Sequence, residues 1–253
     1  MKSRSQKAIL NTMSELFFEI VVALCSFVLP RLVLSHFGSE YNGLILSISQ
    51  FIGCIALLKA GIGGVTRAAL YQPLANNDSY GISEIVNATQ GFMRKIAFIF
   101  FISAVIFACV YPFLVEEDFK WFFAFSLVMI LSIDTFAQYY FGLPYQMVLQ
   151  ADQKTYITSL LNAFCTILNT IIAAILIISG FNIHIVKLAS AMVFLIPPIF
   201  YVLWVKKNYH IDSAIKPNYK PISQRWDAFG HQLANFINTN TDIIIATIVL
   251  GQI

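Results

Sequence analysis

Charged residues are scarce in this sequence of 253 residues. They occupy 11% of the positions, whereas soluble domains average about a quarter. Apolar residues account for 58% of the positions, and the mean hydropathy is +0.74. So few charges cannot cover the surface of a soluble protein, and the composition therefore predicts an integral membrane protein.

Paired cysteines are missing as well, and so is a single face of basic residues interleaved with aromatics. The four cysteines stand singly in apolar runs, so the sequence supports neither a zinc site nor a disulfide framework. The net charge of +3 does not indicate nucleic-acid binding, because the basic residues lie between apolar blocks rather than on one face. No Gly-Lys is followed by Ser or Thr, which excludes the usual phosphate-binding loop. No cofactor or metal is indicated, and proton or sodium coupling stays open.

Long apolar runs are what the sequence has instead. A membrane-spanning helix needs about 20 predominantly apolar residues, and the complete runs of that length are Leu10–Leu34, Tyr41–Val65, Phe92–Leu114, Phe119–Tyr140, Tyr156–Ser179 and Ile185–Val205. A seventh run begins near Ala228 and continues to Ile253. We therefore predict an all-α, polytopic bundle with six complete transmembrane helices and the start of a seventh. The expected units are a first lobe at 1–205, a basic linker at 206–226 and a truncated second lobe at 227–253.

Lysine and arginine are distributed unequally between the two sides of these runs. Twelve of the sixteen lie on the side of the N-terminus, whereas Arg31, Lys120 and Lys187 lie on the other side. Cytoplasmic loops carry the excess, so the N-terminus is predicted to be cytoplasmic. On that side, Ser79–Lys95 is expected to form a short interfacial helix. The basic segment Lys206–Trp226 is expected to face anionic lipids or, alternatively, an anionic substrate.

Ionisable side chains inside the runs are candidates for function, because a charge near the bilayer centre costs about 2.5–3.5 kcal/mol. Glu15 is shallow enough to be interfacial, whereas Glu19 and Asp134 lie deeper. Each of these two could carry a coupling ion or take part in a structural ion pair or hydrogen bond between helices. In the seventh run, four polar residues share one helical face: His231, Asn235, Asn238 and Asp242. This face is expected either to line a cavity or to form a polar seam against other helices.

Glycine is concentrated near the end of the second run, at Gly61, Gly63 and Gly64. Small residues there would allow close helix approach and a hinge. Lys59 and Arg67 flank the glycines. These cations could meet a phosphate group as point charges, or they could anchor the helix at the cytoplasmic face.

Three separated segments resemble one protein family. They are "PRLVLSHFGSEYNGLILSISQFIGCIALLKAGIGGVTRAALYQPLANND", "LQADQKTYITSLLNAF" and "HQLANFINTNTDIIIATIVLGQ". In order and spacing they look like the N-terminal half of bacterial polysaccharide-biosynthesis membrane proteins. These are the oligosaccharide-lipid flippases of the multidrug/oligosaccharidyl-lipid/polysaccharide exporter superfamily.

The resemblance implies two six-helix lobes that alternate between inward-open and outward-open states. The implied cargo is a polyprenyl-diphosphate-linked oligosaccharide, moved across the bacterial cytoplasmic membrane for O-antigen, capsule or exopolysaccharide synthesis. The chain would then not be an enzyme, and its partners would be membrane lipids, this cargo and other glycan assembly proteins. The resemblance implies substrate-path cations at Arg31, Lys59 and Arg67, ion-coupling candidates at Glu19, Asp134 and Asp242, and sugar-binding amides in the seventh helix, at Asn235 and Asn238.

Two other functions stay open. A multidrug or small-cation exporter of the same superfamily would favour an acidic, aromatic cavity over a cationic one. A membrane glycosyltransferase or polymerase would usually need catalytic carboxylates or histidines in sizeable outer loops. The short outer loops hold no such cluster beyond Glu116, Glu117 and Asp118.

Overall fold

A computed structural model of the chain describes residues 4–56, 61–113 and 120–223. Within these ranges the secondary structure is helical and contains no strand. The α-helices are α1 (Arg4–Phe37), α2 (Ser39–Ala56), α3 (Ile62–Ala75), α4 (Ser79–Val110), α5 (Trp121–Ala137), α6 (Leu143–Ala151), α7 (Thr155–Ile178), α8 (Ile183–Phe194) and α9 (Ile196–Tyr209). The all-helical class predicted from the sequence is confirmed for the described part of the chain.

Five stretches of the described residues are long and apolar enough to cross a membrane, as judged by length and composition. They are Ser5–Phe37, Ser79–Phe113, Trp121–Ala151, Thr155–Ile178 and Ile183–Tyr209. The second predicted span, Tyr41–Val65, is not among them. It corresponds to α2 and α3 on either side of residues 57–60, and Ser39, Glu40 and Asn42 make the start of α2 polar. The predicted count of six or seven spans therefore stays a prediction.

Several sequence predictions concern residues outside the described ranges. They are the path cation Lys59, the acidic loop residues Glu116, Glu117 and Asp118, and the seventh run with His231, Asn235, Asn238 and Asp242. The roles of these residues stay predictions from the sequence.

The structure does not contain the separate interfacial helix expected at Ser79–Lys95. Instead, α4 is continuous over 32 residues. The side chain of Asp78 caps its start by accepting a hydrogen bond from the backbone N–H of Gly81 at 3.0 Å. The polar residues of the first turns, which suggested an interfacial helix, are used to bind the segment that follows α9.

This segment, residues 210–223, packs against α3 and the start of α4. Asn87 donates hydrogen bonds from Nδ2 to the carbonyls of Asp212 at 3.0 Å and Ile215 at 2.9 Å. Ile222 is fully buried. A Cβ on Gly91 would lie only 2.8 Å from the hydroxyl oxygen of Tyr219. The described part of the basic segment after α9 is therefore held against α3 and α4.

The two ends of the bundle are built from different elements. Lys7 near the start of α1 contacts Asp152 in the α6–α7 turn, and so does Tyr209 at the end of α9. We call this end the amino end. At the opposite end, α5 and α8 begin side by side, because Ser126 and His184 are hydrogen-bonded at 2.8 Å. The long helix α7 packs along α1 between the two ends.

Two of the five apolar stretches are broken where they contact each other. The stretch Trp121–Ala151 passes through a π-helical segment, Gln138–Gly142, and Ile183–Tyr209 changes helix at Leu195, just before Pro197 and Pro198. A Cβ on Gly142 would lie 2.5 Å from Cβ and 3.0 Å from Cα of Pro198. Only glycine permits this approach. The predicted end of the fourth span at Tyr140 is too early, because the π-helical segment carries the helix past Pro144 to Ala151.

Candidate functional site

A polar pocket lies inside the bundle between α1, α2, α5, α7 and α8. It has a volume of about 290 Å³ and reaches from the middle of α7 toward the start of α8. Most of its lining is apolar, and its polar lining residues are Ser49, Asp134, Thr135, Asn169, Lys187 and Ser190. We call this cavity the Asp134 pocket. It brings together charged and uncharged polar side chains from four helices that are distant in sequence.

Asp134 lines this pocket from α5. The hydroxyl of the neighbouring Thr135 donates to its Oδ1 at 3.4 Å. Gln138, which the sequence placed on the same face one turn later, does not line the pocket and instead begins the π-helical segment. The structure thus places Asp134 at a cavity between helices, and its role in ion coupling stays a prediction.

Lys187 is a pocket residue that the sequence analysis assigned to the outer side of the bundle. Helix α8 starts at Ile183, two residues earlier than predicted, because Asn182 caps it by accepting from the N–H of Ile185 at 3.0 Å. Lys187 therefore lies one turn inside the helix. It is partly buried and makes no hydrogen bond or ion pair with any described residue. The signal in the sequence for this placement was that Ile183 and Ala191, four residues to either side, are both apolar.

Asn169 lines the pocket from α7. Its side chain is only 8% exposed, and its Oδ1 has no hydrogen-bond partner among the described residues. A buried polar atom without a partner costs about 1–3 kcal/mol. A group that enters the pocket and donates a hydrogen bond or carries positive charge would remove this cost. The sequence analysis overlooked Asn169, although it is a lone amide in the apolar string "TILNTIIAAILII".

The amino end contains a second group of charges, centred on Asp152. This carboxylate pairs with Lys154 at 2.7 Å and Lys7 at 3.3 Å, and it accepts a hydrogen bond from the Tyr209 hydroxyl at 2.5 Å. The ammonium of Lys154 also lies 5.4 Å from the ring centroid of Trp204. We call Lys7, Asp152, Lys154 and Tyr209 the amino-end cluster. It joins α1, the α6–α7 turn and α9.

The pKa of Asp152 reflects these contacts. Burial by itself would raise the pKa of the carboxyl group, but the hydrogen bonds from Lys154 and Tyr209 and the charges of Lys154 and Lys7 favour the ionised form. The second group of effects is larger in sum, so the pKa of Asp152 lies below its usual value. The cluster therefore holds an ionised carboxylate at neutral pH.

Polar contacts continue from this cluster along the interface between α1 and α7. Asn11 donates from Nδ2 to the carbonyl of Gln153 at 3.0 Å and accepts at Oδ1 from the N–H of Tyr156 at 2.9 Å. One turn further, the Glu15 carboxylate accepts from the Ser159 hydroxyl. Glu15 is otherwise exposed. At the next turn, Glu19 is also exposed and does not line the Asp134 pocket.

The two described cations of the predicted substrate path lie far apart. Arg67 in α3 donates to Oε1 of Gln150 at 2.9 Å, close to the amino end. Arg31 is exposed and lies near the end of α1, after Pro30. At 1.5 Å per residue, roughly 36 Å of helix separates Arg31 from Lys7. The structure therefore does not gather these cations into one site.

The three clustered glycines have different surroundings. Gly61 precedes α3 with φ of 88°, a left-handed backbone that favours glycine, so it marks where α3 begins. A Cβ on Gly63 would lie 3.6 Å from Cε of Met147, which is an ordinary contact, and one on Gly64 would meet nothing within 4 Å. Among the described residues, no close helix contact occurs at Gly63 or Gly64. In the described part of the chain, Gly142 makes such a contact.

These observations describe a helical protein with five stretches that could cross a membrane and with charged side chains lining a pocket between its helices. No protein-family model, curated protein or solved structure matches the chain.

Proposed function

We propose that the chain is the first lobe of an oligosaccharide-lipid flippase in the bacterial cytoplasmic membrane, with its N-terminus in the cytoplasm. The flippase would move a polyprenyl-diphosphate-linked oligosaccharide to the outer face by alternating access. The observation that carries this proposal is the Asp134 pocket. Residues of opposite charge line one cavity inside a bundle that contains five apolar stretches long enough to cross a membrane.

The way these charges are held favours transport over a purely structural role. Charges inside a membrane bundle are costly and typically mark ion or substrate pathways. A structural ion pair would be closed, as it is between Asp152 and Lys154. Lys187 instead has no partner among the described residues, and open volume lies beside it. A cavity with an unpaired cation is suited to a group that enters and leaves.

The helix breaks near the pocket also support transport. Transporters commonly place their sites at discontinuous helices, where backbone and side chains can rearrange. Here the π-helical segment Gln138–Gly142 begins one turn after Asp134, and it contacts the break before Pro198 in the neighbouring stretch. Two of the apolar stretches therefore have helix breaks that contact each other close to the pocket.

The exposed face of α1 supports a second bundle packed against this one. Glu19 is exposed and lies between Leu16 and Ile20, whose side chains are also exposed. A carboxylate that faced lipid at this depth would carry the insertion cost of about 2.5–3.5 kcal/mol. We therefore place Glu19 in a water-filled cavity between two lobes, where it is a coupling candidate together with Asp134. Asp242 keeps the same proposed role from the sequence.

The cations keep separate roles in this proposal. Arg67 uses one guanidinium nitrogen for Gln150, and its other donors remain able to bind a phosphate oxygen. It lies near the end that we assign to the cytoplasm, where the cargo is made. Arg31 lies toward the outer end, so it would meet the diphosphate late in transport. Lys59 and the polar residues of the seventh run keep the roles inferred from the sequence.

Restoration of glycan export tests the proposal. The full-length protein is expressed in bacterial strains that lack their own flippase and make different lipid-linked oligosaccharides, and surface polysaccharide is measured. Export should return in at least one strain. Arg67→Gln should lower it by about tenfold at unchanged membrane abundance, because a charge-assisted hydrogen bond contributes about 1.5–3 kcal/mol. Lys95→Gln, which changes an exposed cation of α4, serves as the matched control.

The same strains separate the alternatives. Efflux of a cationic dye without any glycan export would instead support a multidrug exporter. Lengthening of the lipid-linked glycan without export would support a glycosyltransferase or polymerase. Wild-type export by Arg67→Gln would remove Arg67 from the substrate path.

A further inference from the structure

We infer that the ammonium group of Lys187 is a built-in cation of the Asp134 pocket and takes the place of a bound monovalent metal ion. Lys187 would thereby determine which cations the pocket accepts. The relevance of this inference to transport rests on the proposed function, but the inference itself concerns cation binding and is tested without a transport assay.

The first observation is the chemistry of the lining. Apart from Lys187, the polar groups of the pocket are a carboxylate, an amide and hydroxyls, from Asp134, Asn169, Ser49, Thr135 and Ser190. Carboxylate, carbonyl and hydroxyl oxygens are the ligands that hard cations prefer. The volume of about 290 Å³ also leaves room for an ion with several water molecules. Without a lysine, this lining would suit a sodium ion.

The second observation is that the pocket contains an unpaired acceptor and an unpaired donor. Oδ1 of Asn169 is buried and has no partner, and Lys187 has none among the described residues. A lysine side chain has four flexible methylenes. Its ammonium group can therefore move within the pocket toward Asp134 while the helices stay in place. No diffusing ion is needed to supply the positive charge.

The third observation is the charge balance. Asp134 and Lys187 are the two ionisable side chains among the described lining residues, and Tyr139, one turn after Asp134, interacts with it electrostatically. With both lining residues charged, the pocket is neutral. A sodium ion that entered would meet a positive charge at short range in a medium of low dielectric constant, where repulsion is strong. The wild-type pocket should therefore reject metal cations.

Thermal unfolding of the full-length protein in lipid nanodiscs tests this inference. Sodium chloride replaces choline chloride stepwise at constant ionic strength and pH. The melting temperature of the wild type should not respond to sodium by more than about 1 °C. Lys187→Met removes the charge at similar size, so its melting temperature should rise saturably, by about 5 °C at a hundredfold excess of sodium over its dissociation constant.

Two variants control for the charge and for the carboxylate. Lys187→Arg keeps the positive charge and should not respond to sodium. The double change Lys187→Met with Asp134→Asn removes the negative charge and should also lose the response. Lys187→Gln replaces Lys187→Met if the latter does not accumulate.

Two results would overturn the inference. Stabilisation of the wild type by sodium would show that Lys187 does not occupy the cation position, and this titration needs no variant. A melting temperature of Lys187→Met or Lys187→Gln that is independent of sodium would show that the oxygens do not form a cation site. Neither result depends on glycan export, so failure of this inference and failure of the proposed function are distinguishable.

Discussion

The amino-end cluster and the Asp134 pocket both place a carboxylate near a lysine, but only the first pairs them. Asp152 contacts two ammonium groups and a hydroxyl within 3.3 Å. In the Asp134 pocket, Lys187 and Oδ1 of Asn169 have no partner among the described residues. The cluster holds three chain segments together, whereas the pocket keeps polar groups available.

This difference gives a criterion for separating structural from functional charges in a helical bundle. Removing one member of a closed group leaves its partners unpaired and should lower stability. Removing an unpaired group from a pocket should cost little stability and should instead change what the pocket binds.

The contrast requires that the helices between the amino-end cluster and the Asp134 pocket are tightly packed against one another. A substitution at Gly142 tests this packing first. Gly142→Ala should lower the free energy of unfolding by about 3 kcal/mol, because its Cβ would overlap Pro198 and overpacking costs more than the gain in helix propensity. Gly64→Ala is the control, since the same change meets open space. It should be neutral or stabilising by up to about 1 kcal/mol. Denaturation in detergent measures both, and equal effects would contradict the tight contact.

The closed state of the amino-end cluster is tested at its centre. Asp152→Asn should lower the free energy of unfolding by about 2 kcal/mol, because Lys7, Lys154 and Tyr209 lose a shared ionised partner. Asp212→Asn, at an exposed position, should change it by less than about 0.5 kcal/mol. An equal loss in the two variants would mean that the cluster is no more than a surface ion pair.

The same cluster predicts a dependence of stability on pH. The folded-state pKa of Asp152 lies below its unfolded value, so its contribution is complete above the usual carboxyl range and is lost as the pH falls through the folded-state pKa. The stability difference between wild type and Asp152→Asn should therefore shrink as the pH falls from 7 to 3. Melting temperatures of both proteins across this range measure it. A difference that does not change with pH would count against an ionised, paired Asp152.

The open state of the pocket predicts the smallest change in stability. Asn169→Leu should leave the free energy of unfolding unchanged or raise it by up to about 1 kcal/mol, since it removes an unpaired buried oxygen. Asn162→Leu in the same helix should lower it by about 1 kcal/mol, because Oδ1 of Asn162 accepts a hydrogen bond from Tyr201 at 3.1 Å. The same denaturation assay compares the two, and a larger loss for Asn169→Leu would show that its amide is satisfied.

The sequence was sufficient to predict a helical chain and several helix ends, because long apolar runs are typical of helices that cross a membrane. Helix α7 shows this, because it was predicted from Tyr156 to Ser179 and is observed from Thr155 to Ile178. The sequence was insufficient where a helix continues through an irregular turn. The fourth span was predicted to end at Tyr140, yet a π-helical segment carries this stretch past Pro144 to Ala151.

The sites show a similar division. Asp134 was found from the sequence because a carboxylate in an apolar run has few explanations. Lys187 and Asn169 were missed because what distinguishes them is the lack of a hydrogen-bond or ion-pair partner among the described residues. Such partners come from helices distant in sequence, so the sequence does not show whether they are present. The clustered glycines misled for the same reason, since the close contact at Gly142 depends on Pro198 in another stretch.

The measurement that tests the central contrast most directly compares Asp134→Asn with Asp152→Asn for glycan export per molecule of membrane-inserted protein, together with melting temperature. We expect Asp134→Asn to lower export by at least about tenfold, a change of about 1.4 kcal/mol in activation free energy, at unchanged membrane abundance. Asp152→Asn should lower the melting temperature and leave export per molecule within about twofold of wild type. Wild-type export by Asp134→Asn, or an equal loss of export in both variants, would contradict the account.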